Sequence, residues 1–172
     1  LETQSNNAYT FVNCGFVELR LPKYTKLTIS SIVKDCVDLE KIILPIFTEK
    51  INGKTEIINN DILWTNSTFN MACINNVPKL SAFKINEKDS SELFIEVNGI
   101  LYKNGDIGNN TIFPREMLNV VAVPFNVKDA NYALYNITFN NKTYEIDEIS
   151  NYAFYETNIE NLIIPNTVYK IG

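Results

Sequence analysis

Carboxylates are the residues of this chain that could carry catalysis. Glycoside hydrolysis needs two carboxyl groups about 5–10 Å apart. The chain offers three places for them: Asp147 with Glu148, the group of Asp35, Asp38 and Glu40, and Asp61. Their spacing does not distinguish them from an acidic surface in water. Because the chain also has no histidine and so no Ser-His-Asp or Cys-His triad, we expect no enzyme and no catalytic residue. A carbohydrate-active enzyme is the remote alternative.

Metal and cofactor sites find little support in the sequence. Zinc sites that use histidine are excluded. The oxygen-rich segment 104–110 lacks the alternating acidic ligands and the final Glu of a calcium loop, and a hairpin turn explains it better. The three cysteines follow no metal-ligand spacing. We therefore expect no metal ion and no cofactor.

The overall composition excludes further classes of function. Hydrophobic residues make up 45% of the 172 residues and charged residues 20%, which favours a folded domain over a disordered chain. The net charge of -5 argues against a nucleic-acid partner or an anionic membrane surface. No apolar run reaches the roughly 18 residues of a membrane span, so we expect no membrane insertion within this chain.

One strand-like pattern recurs along the chain and must position any site. It consists of a bulky aliphatic residue, two variable residues and then hydrophobic residues at alternate positions, usually followed by proline. The alternation indicates strands with one buried face, and the recurrence indicates stacked turns. The copies are Val17–Pro22, Leu39–Pro45, Leu80–Asn86, Leu118–Pro124 and Ile159–Pro165.

Two further elements accompany this pattern. An Ile-x-aromatic-x-Asn element recurs at 62–66, 100–104 and 137–141, and the Asn98-Gly99 dipeptide beside one copy is suited to a tight turn. The first element therefore predicts an extra strand or hairpin in each longer repeat. The second element, an aliphatic residue followed by Ala-Phe and then a small residue, is clearest at 149–157.

Together these elements resemble the BspA-type (Treponema-type) leucine-rich repeat. The resemblance covers about residues 8–172 and is strongest at 29–45 and 149–165. It implies a β-rich, right-handed leucine-rich-repeat solenoid with a parallel core sheet, few short helices and inserted β-hairpins. It also implies one repeat domain of about five turns at 8–172. The polar residues before it indicate a tail or linker at 1–7.

In such a solenoid the equivalent residues of successive turns stack about 4.8 Å apart. The five copies of the pattern are then five parallel core strands. The expected buried stacks are Leu39, Leu80, Leu118 and Ile159; Ile42, Phe83, Val121 and Leu162; and Leu21, Leu44, Ile85, Val123 and Ile164.

The resemblance also gives the cysteines a structural interpretation. Cys14, Cys36 and Cys73 would each occupy the repeat position at which this family places a buried thiol. We favour that core role. A Cys14–Cys36 disulfide and a reactive thiol are the alternatives.

Side chains between the buried strand positions are expected to face outward. Some of them are apolar, which is typical of a ligand-binding surface. The competing interpretation is that inserted hairpins with Trp64, Tyr102 and Phe139 cover part of this face. The candidate binding residues are Lys41, Ile43, Lys84, Ala122, Asn161 and Ile163.

For function, the resemblance implies a non-catalytic protein-binding or adhesion module of a cell-surface or secreted protein. Its partner would be a protein of a host or neighbouring cell surface or matrix, and its location extracellular. A structural spacer that displays another domain is the alternative. Because 167–172 resembles the opening of another turn, we also expect the native array to continue and the edge at Leu162–Ile164 to be open.

Overall fold

A computed structural model describes residues 9–21, 32–44, 47–51, 54–58, 71–85, 94–104 and 117–172. Within this part, the helices are a 3-10 turn at Met71–Cys73 and the four-residue helix α1 (Asn131–Leu134). The strands are β1 (Phe11–Val12), β2 (Glu18–Arg20), β3 (Val33–Lys34), β4 (Lys41–Ile43), β5 (Phe47–Ile51), β6 (Lys54–Ile58), β7 (Ile74–Asn75), β8 (Ala82–Lys84), β9 (Phe94–Val97), β10 (Ile100–Asn104), β11 (Met117–Ala122), β12 (Ile137–Phe139), β13 (Lys142–Ile149) and β14 (Lys170–Ile171). The expected β-rich architecture with few helices is confirmed for the described residues.

Several expectations from the sequence lie outside the described residues. They are the polar tail at 1–7, Asp61, Trp64 and most of the turn predicted at 104–110.

Two small parallel sheets join the first three turns. One has the order β2–β4–β8 and the other β1–β3–β7. In the first sheet Leu19 pairs with Ile42, and Ile42 pairs with Phe83. These strands are the first three copies of the sequence pattern, so this part of the predicted parallel core sheet is confirmed.

The inward side chains of these turns form the first of two cores. Leu39, Leu44, Leu80 and Phe83 are fully buried in it. Each large apolar side chain that leaves water contributes roughly 1.5–3 kcal/mol. A single turn buries little of its own apolar face, so the contribution depends on the neighbouring turn.

The fourth copy of the pattern does not join this sheet, and the predicted five-stranded sheet is wrong beyond β8. Its strand, β11, pairs in parallel with β13 and antiparallel with β10. The cause is the inserted β9–β10 hairpin. The Phe83 N–H, which points away from β4, donates to the Gly99 carbonyl at 2.8 Å, so the hairpin turn occupies the position that a fourth strand would take.

The β9–β10 hairpin itself is confirmed. Its strands pair antiparallel from Val97 opposite Ile100. Asn98 and Gly99 form the turn with φ of 52° and 82°, the left-handed conformation that an Asn-Gly hairpin turn uses. A second hairpin joins β12 to β13 in the same way, through Asn140 and Asn141.

The fifth copy, Ile159–Pro165, forms no strand, so the stacks predicted to reach Ile159, Leu162 and Ile164 are also wrong. The neighbouring turn explains the difference. The Asn158 N–H donates to the Phe125 carbonyl, and the chain after Phe125 enters α1 instead of a strand. No strand edge is available there, and Leu162, Ile163 and Ile164 are 36%, 62% and 43% exposed.

The second core lies between the large mixed sheet and α1. The sheet has the order β12–β13–β11–β10–β9, with β14 paired to β13. Its parallel part aligns Val120 with Ile149 and Ile149 with Ile171. Leu118 is therefore buried, as expected, but among the residues of this sheet instead of below Leu80.

Candidate functional site

Three of the six candidate binding residues lie together on one surface. Lys41 and Ile43 are on β4, and Lys84 is on β8 directly beside Ile43. All three are half-buried. We call the outer side of the β2–β4–β8 sheet the repeat-sheet face; its residues are Glu18, Arg20, Lys41, Ile43, Ala82 and Lys84.

Ion pairs hold the charged side chains of the repeat-sheet face in place. The Glu18 carboxylate accepts hydrogen bonds from Arg20 at 3.3 Å and from Lys41 at 3.4 Å. Lys84 Nζ lies 2.8 Å from Glu96 Oε2, on β9 of the hairpin. The first two pairs are exposed and contribute little to stability. Their effect is to arrange paired charges around the apolar Ile43.

The structure corrects the outward orientation expected of Ala122. This residue is fully buried and belongs to β11, which lies in the large mixed sheet. The hairpin at Gly99 separates β11 from the repeat-sheet face, and both sides of β11 are buried: Leu118 lies in the second core and Ala122 in the first.

Asn161 and Ile163 are exposed but do not lie on the repeat-sheet face. They belong to the extended segment that forms no strand, and the Ile163 N–H donates to Asn131 Oδ1 at 2.8 Å. The candidate site thus contains three of the six residues that the sequence suggests.

The hairpin borders the repeat-sheet face without placing its aromatic residue over Ile43. Tyr102 is fully buried in the second core. The contact with the face comes from Glu96, which sequence reasoning missed. A signal was present: Glu96 precedes the Asn98-Gly99 turn, and its second oxygen accepts the Gly99 N–H at 2.6 Å.

A polar groove of about 430 Å³ lies beside the first turns; its lining residues are Asn13, Cys14, Gly15, Asp35, Val37, Asp38 and Asn76. Asn13, Asp35 and Asn76 repeat one left-handed conformation, with φ of 53°, 55° and 49°. Asn76 donates to the Asp35 carboxylate at 2.7 Å, and Lys79 donates to Asp38 at 2.7 Å. The carboxylates of this groove thus hold neighbouring turns together.

The cysteine register differs from the expectation. Val33 pairs with Ile74, which places Val77, not Cys73, beside Cys36. The local hydrogen bonds agree, since Leu39 N–H donates to the Cys36 carbonyl and Leu80 N–H donates to that of Val77. The expectation that Cys73 shares the repeat position of Cys14 and Cys36 is therefore wrong.

Asp147 and Glu148, the adjacent carboxylates, do not act on a common cleft. Asp147 is buried at a bulge where β11 and β13 shift register, and its Oδ1 has no hydrogen-bond partner among the described residues. Glu148 instead accepts from Lys170 at 2.8 Å and from Asn119 at 3.3 Å. Burial raises the pKa of Asp147 above its ordinary value of 3.8.

This environment makes a pH-dependent prediction for Asp147→Asn. A raised pKa means that the folded chain holds the proton more tightly than the unfolded chain, so ionisation costs stability as pH rises past 3.8. We expect the variant to unfold at higher urea concentration than the parent at pH 7, with the difference shrinking towards pH 3. An unchanged difference across this pH range would contradict the assignment.

Among the described residues, no group of three or more Cys, Asp or Glu side chains lies in a position to hold a metal ion. No helix in the described ranges has the length and apolarity that crossing a membrane requires.

Comparison with known proteins gives one match. The family model of the BspA type leucine rich repeat region matches six copies, over residues 2–91 and 107–172. No curated protein and no solved structure gives a significant match.

Proposed function

The chain belongs to the BspA-type leucine-rich repeat family, and we propose from this that it is a non-catalytic protein-binding or adhesion module. The parent protein would be displayed on a cell surface or secreted. Its partner would be a protein of a host or neighbouring cell surface or matrix. We also propose that residues 8–172 form one repeat domain whose turns follow a right-handed solenoid.

The repeat-sheet face is the observation that carries this proposal. Backbone hydrogen bonds fix its three strands in register, so its side chains are arranged before a partner arrives. Ile43 lies on the middle strand, between Arg20 of β2 and Lys84 of β8. Lys41, which pairs with Glu18, lies two residues earlier on the same strand. An apolar centre with a charged surround is the usual composition of a protein–protein interface.

This arrangement defines the chemistry of the partner. A partner that covers Ile43 must supply an apolar side chain. It gains further if it places carboxylates near Lys41 and Lys84, because new ion pairs at the rim steer association.

Substitution of Ile43 by Glu tests the proposal directly. The chain is immobilised and exposed to a panel of purified extracellular-matrix glycoproteins, and dissociation constants are measured. We expect at least one to bind and Ile43→Glu to weaken that binding by about tenfold or more, which corresponds to ~1.4 kcal/mol. The reason is that the partner would have to remove a carboxylate from water at the place where it covers an apolar side chain in the parent.

Val12→Glu is the matched control. Val12 is likewise β-branched and is exposed, whereas Ile43 is half-buried, and it lies on β1 in the other small sheet. We expect it to bind as the parent does. Equal weakening by both variants would remove the repeat-sheet face from the proposal, and the absence of binding to every panel member would favour a structural spacer.

A further inference from the structure

Cys14 and Cys36 stand at the same position of two successive turns. Phe11 pairs with Val33 and Val12 with Lys34, and the Asn13 N–H continues the ladder to the Lys34 carbonyl. The next residues, Asn13 and Asp35, share one left-handed backbone conformation. The two cysteines that follow are therefore direct neighbours. Neighbouring strands lie about 4.8 Å apart, and disulfides span Cα separations of roughly 4.4–6.8 Å.

The side-chain contacts bring the two residues together. The Cys14 N–H donates to Cys36 Sγ at 3.3 Å, so the Cys36 sulfur lies between the two turns. Both thiols are free in this structure. Burial raises the pKa of the Cys36 thiol, and the adjacent Cys14 side chain adds to the rise.

A reagent in solution can reach only one of the two thiols directly. Cys36 is fully buried, whereas Cys14 is half-buried and lines the polar groove. Space is open next to it, because a Cβ placed on Gly15 would meet nothing within 4 Å. A small molecule in the groove can therefore reach the Cys14 thiol, whereas the Cys36 thiol is covered.

We propose that Cys14 and Cys36 form a thiol pair that a small disulfide oxidises to an intramolecular disulfide, linking the first two turns. The Cys14 thiolate attacks one sulfur of the reagent, the S–S bond breaks, and the first thiolate leaves and takes a proton from water. Cys36 then loses its proton to solvent and attacks Cys14 Sγ, which releases the second thiol. Two protein thiols are oxidised and one disulfide is reduced to two thiols.

Cys73 is the internal control of this proposal. It stands level with Ile32, since the Ile32 N–H donates to the Cys73 carbonyl at 2.8 Å. Val77 instead occupies the position beside Cys36 on the side away from Cys14. The strand register therefore predicts a disulfide between Cys14 and Cys36 and excludes Cys73 from it.

The test treats the folded chain with 2-hydroxyethyl disulfide and then counts thiols after denaturation. Of the three cysteines, we expect one to remain free, with a single cross-linked peptide pair that joins positions 14 and 36. Cys73→Ala should give the same cross-link and leave no free thiol. Cys36→Ala should stop at the mixed disulfide on Cys14, and Cys14→Ala should leave Cys36 unreacted.

A gain-of-function variant checks the register. In a Cys14→Ala background, Val77→Cys places a thiol in the matching position on the other side of Cys36. Because both positions are buried, we expect no reaction of the folded variant and a cross-link between positions 36 and 77 after refolding in the presence of the reagent. Three free thiols after treatment of the folded parent would overturn the proposal. A cross-link that involves Cys73 would overturn it as well, because the register forbids that pair.

Discussion

Leu118→Ala is expected to lower the free energy of unfolding by about 2–5 kcal/mol, the range for truncating a buried leucine. Leu118 is fully buried in the second core and pairs through β11 with β13. The cavity that the truncation leaves is enclosed by strands on both sides, which limits how far the site can collapse. The measurement is the urea denaturation midpoint, combined with the slope of the transition.

Leu162→Ala is the matched variant, because the same sequence pattern contains both leucines. Leu162 is 36% exposed in a segment without a strand partner, so we expect a loss below about 1 kcal/mol. Comparable losses at the two positions would show that Leu162 is covered in solution. Measuring the midpoint at several protein concentrations would tell whether a second copy covers it.

Gly99→Ala is expected to destabilise the chain by about 1–3 kcal/mol through backbone strain alone. Gly99 has a φ of 82°, and an added Cβ would lie 2.7 Å from the Ser81 carbonyl oxygen and 3.0 Å from the Ala82 Cα. These are backbone atoms of the turn that carries β8, so neither can move aside like a side chain. We also expect the protection of the Phe83 amide from hydrogen exchange to fall, since this amide donates to Gly99.

Gly15→Ala is the control for this effect. A Cβ at Gly15 meets nothing within 4 Å, and its φ lies outside the left-handed region. We expect a change within about 0.5 kcal/mol. If both alanine variants unfolded at the same urea concentration, the contact between the hairpin turn and β8 would be wrong.

The part of the fold that sequence reasoning predicted is the part governed by local pattern. Strict alternation identified β2, β4 and β8, and the Asn98-Gly99 dipeptide identified the hairpin turn. The same alternation in 118–124 belongs to a strand that is buried on both sides, with Leu118 in the second core and Ala122 in the first. Alternation shows that a strand has a buried side but does not say which neighbour covers it, and the inserted hairpin makes that choice.

The candidate site shows the same difference between the turns before the inserted hairpin and the turn after it. Lys41, Ile43 and Lys84 lie together on one surface because they belong to consecutive turns whose strands pair directly. Ala122 was placed wrongly because its turn follows the insertion. The cysteines show a limit of matching by residue type. Cys73 resembles Cys36 in the sequence pattern, but the hydrogen-bond register places Val77 at the position equivalent to Cys36.

The contact between Phe83 and Gly99 also has a consequence under tension. On one side of it the turns are attached side by side through two short parallel sheets, so a pull along the stacking direction loads their hydrogen bonds one after another and peels the turns singly. On the other side, β9, β10, β11 and β13 form longer antiparallel and parallel ladders, which share the load among more bonds. A chain held at both ends should therefore lengthen in two stages, first by small steps from the early turns and then by a larger release of the mixed sheet, at about 3.5 Å of extension for each freed residue.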